Sequence, residues 1–62
     1  MLTKSNIAEI INEYQREIDE LESELKLIHT PGARRAVNDR LSFLRDNMYR
    51  YELQAKAWEI KL

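Results

Sequence analysis

The sequence contains no cysteine, which excludes a disulfide framework, a thiolate zinc site and a cysteine nucleophile. One glycine and one proline among 62 residues are too few for the many turns of a β-rich fold. No apolar run approaches the roughly 18 residues that a membrane-spanning helix needs, and the N-terminus lacks the basic-then-apolar pattern of a secretion leader. We therefore expect one small all-α domain over residues 1–62, located in the cytoplasm.

Neither sign of charge predominates, because the sequence has ten Lys and Arg residues and eleven Asp and Glu residues. This balance argues against a polybasic protein that binds nucleic acid or a membrane surface by default. The two halves differ, however. Residues 1–29 carry seven acids and three bases, a net charge of -4, whereas residues 30–62 carry four acids and seven bases, a net charge of +3.

Apolar residues recur at alternating steps of four and three in both halves of the chain. The first stripe consists of Ile7, Ile11, Tyr14, Ile18, Leu21, Leu25 and Ile28. The second consists of Val37, Leu41, Leu44, Met48, Tyr51, Ala55, Trp58 and Leu62. Such steps place one side chain per turn on one side of a helix, as in the seam of a coiled coil. The pattern predicts two long helices.

Turn and capping signals place the helix ends. Asn6 followed by Glu9 resembles a capping box, Thr30 before Pro31 is typical of a helix start, and His29 is placed to bond the last carbonyls of the preceding helix. We expect helix 1 over about residues 4–28, a turn at 29–31 and helix 2 over about 32–61. Because the connection is short, the helices should form an antiparallel hairpin.

The stripes also predict the register of the hairpin. Apolar residues whose numbers sum to 62 should face each other across the seam. The six expected layers are Leu25–Val37, Leu21–Leu41, Ile18–Leu44, Tyr14–Met48, Ile11–Tyr51 and Ile7–Ala55. This register also sets Glu24 near Arg40 on the edge of the seam.

A second apolar surface is expected near the chain ends, since two helices that touch along one stripe leave most of their circumference in water. We expect the hairpin to self-associate, as a four-helix bundle dimer, or to dock on a larger partner. The candidate self-association or partner-binding residues are Tyr49, Leu53, Ala57, Trp58, Ile60, Leu62 and Ile10. Aromatic and large aliphatic residues of this kind are enriched in the cores of interfaces.

Carboxylates form a ridge along helix 1, one per turn, at Glu13, Glu17, Glu20 and Glu24. Like charges at this spacing repel, so the ridge favours cations nearby. Three interpretations remain open: an ordinary solvated face, pairing with the basic helix 2 of the same or a second subunit, or a phosphate-like row for a basic partner.

Arginines in helix 2 raise the alternative that a dimeric hairpin binds DNA or RNA directly. The candidate contacts are Arg34, Arg35 and Arg45. The arginines of this helix point in several directions rather than along one stripe, and no zinc-ligand spacing or aromatic RNA-binding motif accompanies them. Nucleic acid is therefore possible as a partner but not favoured.

Catalysis is not expected. His29 is the only histidine, and no Glu precedes it by three residues as in carboxylate metal bundles. The serines have no base in register, and two helices offer no enclosed pocket. We expect no cofactor, no metal, no small-molecule substrate and no membrane partner. The favoured function is a non-enzymatic protein–protein interaction module, a small regulator or inhibitor of the kind typical of phages. A scaffold or assembly subunit is an alternative.

Overall fold

The computed structural model describes residues 2–60, and these residues form two helices without any strand. Helix α1 spans Ile7–Leu25 and helix α2 spans Pro31–Ala57. The helices pack against each other to form an elongated hairpin that measures 42 × 19 × 15 Å. The all-α prediction with two packed helices is confirmed.

Helix α1 begins at Ile7, three residues after the expected start. The backbone N–H groups of Asn6 and Ile7 both donate to the carbonyl of Thr3, at 3.3 and 3.1 Å, so a turn precedes the helix. Asn6 is the N-cap residue, but its side chain makes no hydrogen bond into the first turn. Its Oδ1 instead accepts the backbone N–H of Thr3 at 2.8 Å. The expected side-chain cap is therefore replaced by a bond that ties Asn6 to the preceding turn.

Helix α2 begins with Pro31 in its first turn, as the sequence predicts, because proline needs no amide hydrogen-bond partner there. Thr30 is extended at the N-cap, with φ -83° and ψ 133°, but its hydroxyl makes no capping hydrogen bond. The geometry that a residue before proline prefers, rather than a hydroxyl cap, separates the two helices at this point.

The C-terminal end of α1 is closed by Arg34 and not by the expected His29. Arg34 Nη1 donates to the carbonyl oxygens of Leu25 and Ile28, at 3.0 Å each. The last carbonyls of a helix have no partner within it, so a long basic side chain is well suited to this position. The cap joins the end of α1 to the first turns of α2 and stabilises the 26–30 connection.

Helix α2 ends at Ala57, four residues before the expected end, because Glu59 has a left-handed backbone with φ 59°. The N–H of Glu59 bonds the carbonyl of Lys56 at 3.0 Å, and that of Ile60 bonds the carbonyl of Ala55 at 2.9 Å. This pair of bonds is a Schellman motif, which reverses the chain at a helix end. Consequently Ile60 turns back towards the hairpin.

Six buried apolar residues form the core, in two clusters along the seam. One cluster contains Ile7, Ile11 and Ala55, and the other contains Ile18, Leu41 and Leu44. Met48 packs against both clusters and links them. The two members of each expected apolar layer belong to the same cluster, so the contacts agree with the register in which residue numbers sum to 62.

Two salt bridges border the seam. Arg40 Nη2 lies 3.0 Å from Glu17 Oε1, and Arg45 Nη2 lies 2.7 Å from Glu22 Oε1. Arg40 thus pairs with Glu17 and not with Glu24, since its long side chain reaches along α1 past the position opposite it. About half of each side chain is exposed, so each pair contributes no more than about 1 kcal/mol.

Candidate functional site

Among residues 2–60, large apolar side chains remain exposed at four positions. The exposed fractions are 78% for Leu27, 55% for Phe43, 60% for Tyr49 and 48% for Leu53. Single exposed apolar residues are ordinary on protein surfaces, whereas neighbouring ones indicate a contact surface. Leu27 lies in the 26–30 connection, whereas the other three residues lie on α2 and belong to two candidate surfaces.

Tyr49, Leu53 and Ala57 form one exposed surface, the α2 outer face. All three are exposed and follow each other at steps of four residues, so they lie on consecutive turns of one side of α2. Leu53 is nine residues, or about two and a half turns, from the buried Leu44, and therefore points away from the seam. The structure places these three residues of the expected association surface together in contact with solvent.

The other residues expected in that surface lie elsewhere. Trp58 and Ile60 are half-buried and pack against the cluster of Ile7, Ile11 and Ala55, because the chain reverses at Glu59 instead of continuing as a helix. They cover part of the core of their own hairpin, and only the rest of their surface is exposed. Ile10 is half-buried on the α1 side of a groove described below. Leu62 lies outside the residues that the structure describes.

A groove of about 390 Å³ runs between the two helices on one side of the hairpin. We call it the α1–α2 groove. It is lined by Ile10, Glu13, Tyr14 and Glu17 from α1 and by Arg40, Phe43, Leu44 and Tyr51 from α2. Five of these eight residues are apolar or aromatic, while the exposed surface of the groove is more polar than apolar because Glu13, Glu17 and Arg40 also line it. Such a surface is suited to bind an apolar side chain or a helix face.

Aromatic contacts shape the groove. The rings of Tyr14 and Tyr51 lie 5.5 Å apart between centroids, tilted by 32°. The guanidinium carbon of Arg40 lies 5.3 Å from the centroid of the Phe43 ring, within cation–π range. Arg40 also forms the salt bridge with Glu17, so these residues link the two helices across the groove.

The environment of the groove changes the acidity of one tyrosine. Desolvation raises the pKa of the Tyr14 hydroxyl above its usual value of 10.0. The neighbouring Tyr51 and the charge of Glu17 act in the same direction, while Arg40 opposes them.

The acidic ridge borders the groove at its N-terminal half. Glu13 and Glu17 line the groove, and Glu17 forms the salt bridge with Arg40. Glu20 and Glu24 continue the ridge along α1 and are exposed. One ridge carboxylate therefore pairs with α2 of its own chain, as one of the three interpretations expects, and the remaining ones give this edge a negative charge.

Two of the three candidate nucleic-acid contacts are engaged within the hairpin. Arg34 caps α1 through two carbonyl oxygens, and Arg45 pairs with Glu22. Arg35 is exposed. A phosphate ligand would have to compete with these bonds at Arg34 and Arg45, so the geometry gives the nucleic-acid alternative little support.

Phe43 is the residue of the groove that the sequence analysis missed. Phe43 does not belong to either apolar stripe, so the register of the stripes predicted no contact for it. Its position could have predicted its exposure, because an apolar residue outside the stripe of an amphipathic helix lies on the solvent-facing side.

Neither a cluster of metal-ligand residues nor a bilayer-spanning helix occurs among residues 2–60. Among residues 2–60, no group of three or more His, Asp or Glu side chains is placed to hold a metal ion. Within the same range, neither helix is long and apolar enough to cross a bilayer. Comparison with protein-family models, with curated proteins and with solved structures finds no match.

Proposed function

We propose that this chain is a non-enzymatic protein–protein interaction module that regulates or inhibits a larger protein. One observation carries the proposal: the hairpin fills its own seam, yet Tyr49 and Leu53 on the α2 outer face are 60% and 48% exposed. Exposed neighbouring apolar side chains gain free energy when a second chain covers them, at about 25 cal/mol per Å² of apolar surface. In this proposal the chain acts by binding another protein chain.

Self-association through the α2 outer face is the first such contact. Two hairpins that pack through this face bring their α2 helices together and form a four-helix bundle, a common solution for short amphipathic helices. The small core of one hairpin supports this arrangement, because only six residues of the described part are buried.

Sedimentation equilibrium of the full chain tests this contact. We expect the apparent mass to rise from 7.4 kDa towards twice that value as the concentration increases. Leu53→Asp should weaken the association at least about tenfold, since it places a charge in the apolar contact.

Leu27→Asp is the matched control, because Leu27 is even more exposed but lies in the connection at the other end of the hairpin. It should associate like the unchanged chain. Equal effects of the two substitutions, or no association of the unchanged chain, would reject the outer face as a contact surface.

A further inference from the structure

The α1–α2 groove presents aromatic rings that no other part of the described chain fully covers. Tyr14 and Tyr51 are in ring contact there, and Phe43 stands at the α2 edge with 55% of its side chain exposed. Arg40 covers only one side of the Phe43 ring. A second chain that entered the groove would bury these rings, and aromatic residues contribute strongly to interface energies.

Charge at the groove is unequal on its two edges. Of the charged residues that line it, Arg40 and Glu17 neutralise each other, and Glu13 leaves a net negative charge. The α1 edge continues with Glu20 and Glu24, each about one turn further along the helix. An occupant that places basic groups against α1 would reduce the repulsion within this row.

The shape of the groove favours a helix as its occupant. Two packed helices leave a trough along their length, and a third helix that lies in it contacts both through one apolar stripe. Apolar residues at steps of three and four would meet Ile10, Tyr14 and Phe43. Residues of the third helix that flank its apolar stripe on the α1 side would lie next to the acidic ridge, beginning at Glu13.

We propose that the α1–α2 groove binds an amphipathic helix of a partner protein, with an apolar stripe on the aromatic floor and Lys or Arg residues against the acidic edge of α1. The inference rests on the proposed function and specifies the chemistry of the larger partner. It uses a different part of α2 from the outer face, since Phe43 lies about 120° around the helix from Tyr49 and ten residues, about 15 Å along the axis, from Leu53.

A second copy of this chain fits the groove less well. The apolar stripe of its α2 is already buried in its own seam, so only its outer face remains to enter the groove. That contact would join two different surfaces and would extend into rings or filaments rather than close as a dimer. Assembly of the chain alone beyond a dimer, lost in Phe43→Ser, would therefore assign the groove to a second copy and overturn the proposal.

Calorimetric titration with synthetic peptides tests the inference. The basic peptide has about 18 residues, or five helical turns, with a leucine stripe and lysines beside it. The acidic peptide has glutamate in place of every lysine. We expect the basic peptide to bind at least about tenfold more tightly, with the difference reduced by salt, because exposed charges are screened.

Substitutions locate the contact. Phe43→Ser should weaken binding of the basic peptide about tenfold through lost apolar contact, and Glu13→Lys about tenfold through charge reversal. Leu27→Ser and Glu9→Lys are the matched controls, since both residues are exposed and neither lines the groove. They should change the affinity by no more than about twofold. Circular dichroism of each variant verifies that the hairpin is intact.

The possible results separate this inference from the proposed function. Equal affinity for the two peptides, unchanged binding in Phe43→Ser, or no binding of the basic peptide would overturn the groove proposal. Association through Leu53 in the same preparation would leave the proposed function standing. Tight, salt-sensitive binding that Phe43→Ser and Glu13→Lys weaken, while both controls retain it, is the result that supports the groove.

Discussion

At the scale of single residues, Arg34 shows how one side chain connects the two helices. Its guanidinium donates to the carbonyl oxygen of Leu25 at the end of α1 and to that of Ile28 in the connection, while its backbone belongs to the first turn of α2. The 26–30 connection is therefore held by a side chain from outside it. A residue that looks like a surface cation in the sequence has a structural role.

We expect Arg34→Ala to lower the free energy of unfolding by about 0.5–1.5 kcal/mol, because the carbonyls of Leu25 and Ile28 lose their hydrogen bonds. Urea unfolding followed by circular dichroism measures the change. Arg35→Ala, at the exposed neighbouring position, should shift stability by less than about 0.5 kcal/mol. The same loss in both variants would show that the cap does not stabilise the hairpin.

At the scale of the helices, the end of α2 determines which apolar residues remain outside. Glu59 adopts the left-handed conformation that glycine usually supplies at this position of a Schellman motif. The reversal turns Ile60 back to the cluster around Ala55. The apolar patch at the chain ends is thereby divided into a part that covers the hairpin core and the outer face that does not.

Glu59→Gly should therefore stabilise the chain by about 1 kcal/mol, since a residue with a side chain is strained at this φ and glycine is not. The thermal unfolding midpoint should rise accordingly. Glu52→Gly, inside α2, should have the opposite effect and cost about 1 kcal/mol. A lower midpoint for Glu59→Gly would contradict the strained reversal.

The existence of two packed helices was predictable because the apolar stripes encode them directly. The contacts of Ile18, Leu41 and Leu44 agree with the register that the stripes predict. The helix ends were not predictable, because they depend on tertiary contacts: Arg34 caps from another element, and no glycine marks the reversal at Glu59. That missing signal also explains why Ile60 was expected only on the outer surface.

At the scale of the whole molecule, the hairpin has two separate apolar surfaces. The α2 outer face presents Tyr49 and Leu53, and the α1–α2 groove presents Phe43 beside an acidic edge. The outer face was expected from the sequence, whereas the groove arises only when the helices are packed. In our proposals a second copy and a different partner therefore occupy separate surfaces of the same hairpin.

The most direct test of whether the exposed apolar surfaces bind a protein is affinity capture. The full chain is used to retain proteins from its native host, and mass spectrometry identifies them. The account predicts that one larger protein is retained by the unchanged chain and by Leu27→Asp, and is reduced in Leu53→Asp or Phe43→Ser. Retention of nucleic acid alone, or the same proteins retained equally by all four chains, would contradict the claim that the exposed apolar surfaces bind a protein partner.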